Sequence, residues 1–445
     1  MTTSSKPLFF GPSKCVALYM DPNKRLQLYL RCPSFGIAHK NEAIRIRDLK
    51  VRPDNFEING TIYSLGVITQ YTDTPNPKSV VLDNAKGGIQ EHVDIYGLPP
   101  RETQDEEENV QADKAEITRL REEISIIEQG HARRAIPGKP GSRIRIQRLD
   151  LKAEAYNMRI KNTPPPFRLY LQLTISTGES VKMERVVYDK QFETAKEYIE
   201  RMVFGNKKIQ VENLQIGGDT YLHDVDNRDG VKYGPARHEP LFEYTSQADR
   251  VRPLLSIRSL QVGVLKVTGI LTNALASLRP ILSQTPLKEL RALCHEDAFP
   301  EDPIVNTTEF LEIAKGSSIN VLSNRPNNRI HIGFTYNDNG EELTNLVNEW
   351  KKRKIPIGTY YSMGDRYDYL ITEIFKTFIN LPGAKIGENE ETRSTNYPEC
   401  IIVPMGNDTE LNVYRSEPVN VERDRYSSIV TMKWEPRGYA RADGV

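Results

Sequence analysis

The sequence predicts an α/β or α+β protein on three observations. Short apolar helices crowd the N-terminus, strand-like and helical segments then alternate over most of the length, and several late strands share one shape at near-regular intervals. At 445 residues the chain is long enough for two or three packed units, since domains commonly run about 100–200 residues. Apolar residues make up 38% and charged residues 27%, with a mean hydropathy of -0.54, the balance of a polar-surfaced globular chain with a sizeable core. The 60 basic residues offset 60 acidic ones, so there is no net field of the kind that gathers nucleic acid or an anionic membrane.

Residues 1–40 read as a helical head. Pro12 suits a helix start, Val16, Leu18, Tyr19 and Met20 follow it, and Asp21-Pro22 breaks the run. Leu26, Leu28 and Leu30 then alternate with polar neighbours, a pattern that fits a strand as well as a second helix. Residues 41–100 read as a hairpin and loop. Ile44 to Val51 and Thr61 to Val67 are strand-like with the tight-turn pair Asn59-Gly60 between them, and Pro75, Pro77, Gly87 and Gly88 mark a loop. Residues 101–140 are a charged helix and flexible linker, with Val110, Ile117, Leu120, Ile124 and Ile127 forming one narrow apolar stripe and Pro137 to Gly141 following.

The body, residues 141–445, opens with strand-like segments at 144–151, 168–176 and 183–188, then a helix from Phe192 to Phe204. Its Phe192, Ala195, Tyr198, Ile199 and Met202 share a face that can dock on a sheet. Strands of similar shape recur at 211–216, 256–262, 286–293, 308–313 and 328–334, the last three intervals being roughly 20–30 residues, near a leucine-rich-repeat period. The asparagine consensus of a true solenoid is absent, so the body is predicted as a degenerate leucine-rich-repeat-like strand and helix array, with a crossover helix at 269–280. Helices at 341–354 and 369–378 and strands near 400–403, 410–414 and 427–434 complete it.

The chemistry-bearing motifs are missing. There is no G-x-x-x-x-G-K-[ST], H-E-x-x-H or G-x-S-x-G, so phosphate cradles, zinc proteases and serine hydrolase elbows find no support. Cys15, Cys32, Cys294 and Cys400 form no C-x-x-C pair and read as reduced structural thiols. Cys294-His295 diverge on either a strand or a helix, and the remaining histidines lack metal-ligand spacing. Lys351 to Lys354 read as the solvated C-terminal end of a helix. No secretory signal or membrane-length apolar run is evident, which predicts a cytoplasmic or nuclear protein with no membrane partner, and the charge balance and missing motifs predict no nucleic-acid partner, cofactor or metal.

Residues 12–35, with Pro12, the apolar run to Met20, Asp21-Pro22 and the Leu-rich stretch beyond, resemble an F-box, though without its third helix and tryptophan. Asn59-Gly-Thr-Ile-Tyr-Ser-Leu-Gly66, Lys86-Gly-Gly88, Pro164 to Thr174, Phe204-Gly-Asn206, Trp350 with Ile357 to Ser362, and Tyr397 to Pro404 extend this to a resemblance to nematode F-box C type proteins and their domain of unknown function. The resemblance implies a non-catalytic adaptor. Its N-terminal helices would dock on the small adaptor subunit of an SCF ubiquitin ligase through Leu8, Pro12, Val16, Leu18, Met20, Leu26, Leu28 and Leu30, and its body would hold a substrate protein. The alternatives are that these side chains pack on residues 42–67, and that the chain is a stand-alone, self-associating scaffold.

Overall fold

The computed structural model describes residues 10–32, 35–134, 140–217, 252–283, 285–293, 300–315, 319–334, 340–365, 368–392, 399–406, 408–416 and 428–442. They form a mixed α/β protein that divides into two compact units, residues 1–53 with 206–445, and residues 54–205.

The first unit opens with α1 (Phe10–Tyr19), α2 (Pro22–Arg31), α3 (Gly36–Asn41) and β1 (Ile44–Val51). Asp21 caps α2: its carboxylate accepts the N–H groups of Asn23 at 3.0 Å and Lys24 at 3.1 Å, while Pro22 occupies the first turn, where its missing N–H costs nothing. The period-two run at 26–30 is therefore helical, and the buried Pro22, Arg25 and Leu26 trace a helical face. A short third helix, α3, does follow, contrary to the sequence reading.

The second unit contains β2 (Asn55–Ile58), β3 (Thr61–Tyr71), α4 (Lys78–Ala85), α5 (Glu106–Arg134), α6 (Pro140–Ile160), β4 (Phe167–Ser176), β5 (Val181–Val187) and α7 (Phe192–Phe204). Its strands pair antiparallel in the order β2-β3-β4-β5. Phe192 of α7 packs with Leu65, Val67, Val93 and Leu169 against this sheet.

Three expectations fail here. The hairpin across Asn59-Gly60 joins β3 to β2, not to residues 44–51, because a two-residue turn with φ 48° and 81° pairs the residues immediately beside it. Residues 144–151 are helical, not extended: α6 lies along α5, and Ile117 and Leu120 pack with Ala153, Ala155 and Tyr156. The loop predicted around Pro75 and Pro77 holds α4, tied to α6 by Arg148–Asp83 at 2.5 Å and by the Ser79 N–H donating to Gln147 Oε1 at 2.9 Å. The two glycine motifs of the sequence meet in this unit. A Cβ on Gly66 would lie 1.9 Å from the Gly87 carbonyl oxygen, so only glycine allows that approach.

The first unit resumes with β6 (Lys208–Ile216), β7 (Ser259–Thr268), α8 (Leu271–Leu278), β8 (Glu289–Leu293), α9 (Pro303–Thr307), β9 (Phe310–Lys315), β10 (Arg329–Phe334), α10 (Gly340–Arg353), β11 (Tyr360–Asp365) and α11 (Asp368–Ile379). It ends with β12 (Lys385–Glu388), β13 (Cys400–Gly406), β14 (Thr409–Ser416), β15 (Ser428–Pro436) and β16 (Arg441–Ala442). Neighbouring strands of β1-β6-β7-β8-β9-β10-β11 are parallel, and β15, β14, β13, β12 and β16 continue the sheet antiparallel.

Register aligns the shared strand shape into files. Leu49, Leu214, Leu265, Leu290, Leu311, Ile330 and Tyr361 stand in one row, all buried. Two residues on, Val51, Ile216, Val267, Ala292, Ile313, Ile332 and Met363 form a second buried row. Between them, on the opposite face by strand alternation, Lys50, Gln215, Lys266, Arg291, Glu312, His331 and Ser362 make a polar file.

Candidate protein-docking surface

The head is small, and its order comes from a buried charge. The Arg25 side chain, 1% exposed, reaches from α2 into the space beneath α1 and α3. Its Nη1 donates to the carbonyl oxygens of Ala17 (2.9 Å) and Ala43 (2.8 Å), its Nη2 to those of His39 (2.8 Å) and Glu42 (2.7 Å), and its Nε to His39 Nδ1 (3.3 Å). One planar fork thus ties the end of α1, the end of α3 and the entry to β1 together. Ala17, Phe35 and Ala38 form the apolar core of the head, with Leu28, Tyr29 and Cys32 against it.

The surroundings disfavour further positive charge. Burial lowers Arg25 to about 10, with the Glu42 carboxylate acting against the shift. His39 stacks on Tyr29 with ring centroids 4.3 Å apart, and burial, then the charges of Lys207, Arg25 and Lys40, push its pKa down to about 3. Its ring is neutral, which suits the acceptor role of Nδ1 toward Arg25. Lys207 lies 5.8 Å from the Tyr29 ring centroid, and burial, then Arg25 and Lys40, lowers it to about 7.

This cluster predicts an acid-sensitive head. His39 stays neutral in the fold while the unfolded chain takes up a proton below 6.5. The unfolded state then binds more protons, so the loss of stability begins as pH falls below 6.5 and levels off only below about 3. A fully effective site loses about 1.4 kcal/mol per pH unit in that window. Urea unfolding between pH 6.5 and 5, above the carboxylate range, should show this slope, and His39→Gln should flatten it; a slope unchanged in the variant would refute the assignment. For Lys207, whose ordinary value is 10.5, the sign is the same: stability rises with pH from about 7 toward 10.5.

Of the residues predicted to dock, Leu8 lies outside the described residues. Pro12 is exposed, Val16 is 38% and Leu30 54% exposed, Leu18, Met20 and Leu28 are half-buried, and Leu26 is buried. The structure places two further apolar side chains at the surface of the head: Tyr19 on α1, 82% exposed, with the Arg45 guanidinium 5.9 Å from its ring centroid, and Ile37 on α3, 62% exposed. Sequence reading gave Arg25 no role and took His39 only as one of several surface or packing histidines. The available signal was the i, i+3, i+4, i+7 spacing of Pro22, Arg25, Leu26 and Tyr29, which marks a helical face containing an arginine.

Elsewhere, the polar file of the parallel sheet carries its own pairings, Arg291–Glu312 at 3.3 Å and His331 Nδ1 to Ser362 Oγ at 2.8 Å. Among the described residues no cluster of His, Cys, Asp and Glu could hold a metal ion, and no helix is long and apolar enough to cross a membrane. Cys294 and His295 lie outside the described residues; Cys400 is buried on β13, which pushes its thiol up to about 12.

Residues 252–366 match the family model described as Domain of unknown function (DUF3557). The matched stretch runs from just before β7 through β11 and includes Trp350 and the Ile357 to Ser362 motif. No curated protein and no solved structure matches the chain.

Proposed function

We propose that this chain is a non-catalytic adaptor of the F-box C type, working in the cytoplasm or nucleus, that recruits a substrate protein to an SCF-type ubiquitin ligase. The N-terminal helices dock on the ligase's small adaptor subunit, and the body, a degenerate leucine-rich-repeat-like array, holds the substrate. The observation that carries this reading is the head itself. Val16, Tyr19, Leu30 and Ile37 stand in solvent on three short helices whose spacing is fixed from beneath by Arg25. A rigid framework presenting apolar side chains is what a helical docking epitope needs, because little ordering entropy is lost on binding.

The test is capture of purified SCF adaptor subunit by the full chain, measured by calorimetry. Binding is expected, and Val16→Asp with Leu30→Asp should weaken it about thirtyfold or more while leaving the unfolding midpoint in place, since both side chains are already exposed. No binding by the intact chain overturns the ligase reading and leaves the stand-alone scaffold. For the scaffold, α5 offers little: its stripe residues Ile117 and Leu120 are already buried with α6 of the same chain.

A further inference from the structure

β5 is the outermost strand of the second unit's sheet: β4 flanks it on one side, and among the described residues no strand flanks the other. All of its residues are exposed, including Val181 (58%), Met183 (45%), Val186 (60%) and Val187 (63%). Natural sheets avoid leaving apolar side chains on an open edge, because the free N–H and C=O groups there invite another strand.

The polarity of that edge can be read from its ends. The Tyr188 N–H donates to the Leu169 carbonyl at 3.1 Å, and the Thr177 N–H to the Ser180 carbonyl at 2.8 Å. Bonding residues alternate along an antiparallel ladder, and the register between β4 and β5 runs unbroken from Ser176↔Val181 to Tyr170↔Val187. Residues Lys182, Glu184 and Val186 therefore turn their backbone groups toward β4, and Val181, Met183, Arg185 and Val187 turn theirs outward.

We propose that this edge pairs with β5 of a second copy of the chain, antiparallel, about a two-fold axis through Met183. A two-fold axis relating antiparallel strands of one sheet keeps each residue on its own face, so it must pass through a residue pair and not between residues. An axis at Lys182, Glu184 or Arg185 sets a charge against its own copy, which destabilises the pair. The axis at Met183 instead sets Lys182 against Glu184 of the second copy, twice. Met183, with outward N–H and C=O, exchanges both hydrogen bonds with its own copy. The Lys182–Glu184 pairs then fall at the non-hydrogen-bonded positions, where side chains approach most closely.

Within one copy Lys182 already meets Glu184 at 2.5 Å, so the pairing extends an existing ion pair into a square of four charges alternating in sign. An edge lysine ordinarily guards against strand addition, and Glu184 lifts that guard in this register alone. Zero net charge adds no long-range repulsion between copies. One strand pair is a small interface, so the dimer forms in the micromolar range or weaker. It is independent of the ligase reading, since it uses no residue of the head.

Sedimentation equilibrium of the full chain from about 1 μM to about 0.1 mM tests it, a span that brackets such an interface. A monomer–dimer equilibrium is expected. Lys182→Glu alone, or Glu184→Lys alone, replaces attraction by repulsion in both pairs and should raise the dissociation constant about tenfold, whereas the double exchange should restore it. Met183→Pro removes the outward N–H at an edge position where proline is tolerated and should abolish the dimer; circular dichroism checks its fold. A monomer throughout, or a dimer indifferent to the single charge changes, overturns the proposal. If the proline variant fails to fold, the charge exchange decides alone.

Discussion

Arg25→Met should cost the N-terminal head about 3–5 kcal/mol, enough to unfold it locally, because removing a buried ion from its hydrogen bonds strands the groups that received them. Four carbonyl oxygens, of Ala17, His39, Glu42 and Ala43, lose a donor at once, and the methionine supplies none. Arg25→Lys should rescue little, since an ammonium offers a compact point charge in place of a fork that reaches two pairs of carbonyls. Hydrogen exchange localises the effect: amides of residues 10–43 should lose protection while those of β7 to β10 keep theirs. Protection unchanged in the head would show that the arginine is dispensable. On the proposed ligase reading, the same variant should also lose capture of the SCF adaptor subunit with Val16 and Leu30 intact, because the proposed epitope depends on how the helices are held.

Trp350→Ala should destabilise the first unit by about 3–5 kcal/mol, the usual cost of emptying a large aromatic site. Trp350, 1% exposed, projects from α10 onto Trp434, ring centroids 4.9 Å apart and planes at 82°, and onto Tyr361 at 5.7 Å. Its Nε1–H donates to the Leu322 carbonyl at 3.3 Å. The edge-to-face pair with Trp434 adds about 0.5–1.5 kcal/mol beyond area burial. Trp350→Phe should therefore cost less than alanine, which urea unfolding can resolve. Trp434 sits on β15, beyond the end of the DUF3557 match at residue 366, and β6, which pairs with β7, precedes its start. A fragment limited to residues 252–366 is accordingly expected to give a collapsed, poorly dispersed NMR spectrum; a well-dispersed one would show that the segment folds unaided.

The elements that sequence read well are those whose signal is local. α7 was legible in extent from Phe192 to Phe204, and α10 nearly to the residue, because an apolar stripe of helical period marks a helix; the face of α7 was read less well, since Tyr198, assigned to it, is 68% exposed while Val203 and Phe204 are buried. The late parallel strands were legible as well, since each repeats the same apolar spacing, and stacking in register turns that spacing into two buried rows. The strand reading at 144–151 and the ambiguity left open at 26–30 share one cause. Leu26, Leu28 and Leu30, and the alternation at Ile144 and Ile146, imitate a strand when counted in twos, but capping by Asp21 and packing against α5 make both helical.

The head divides along the same line. From its residues alone came the apolar content of α1 and α2 and the break at Asp21-Pro22. Which of those side chains face solvent depended on contacts far apart in the chain. Leu26 went inward and Leu30 outward because Arg25, at the position between Pro22 and Tyr29, found its carbonyl partners up to 18 residues away. A side chain's own chemistry sets its local preference. Its partner is chosen by whichever distant groups the fold brings within hydrogen-bonding reach, and no spacing rule carries that information.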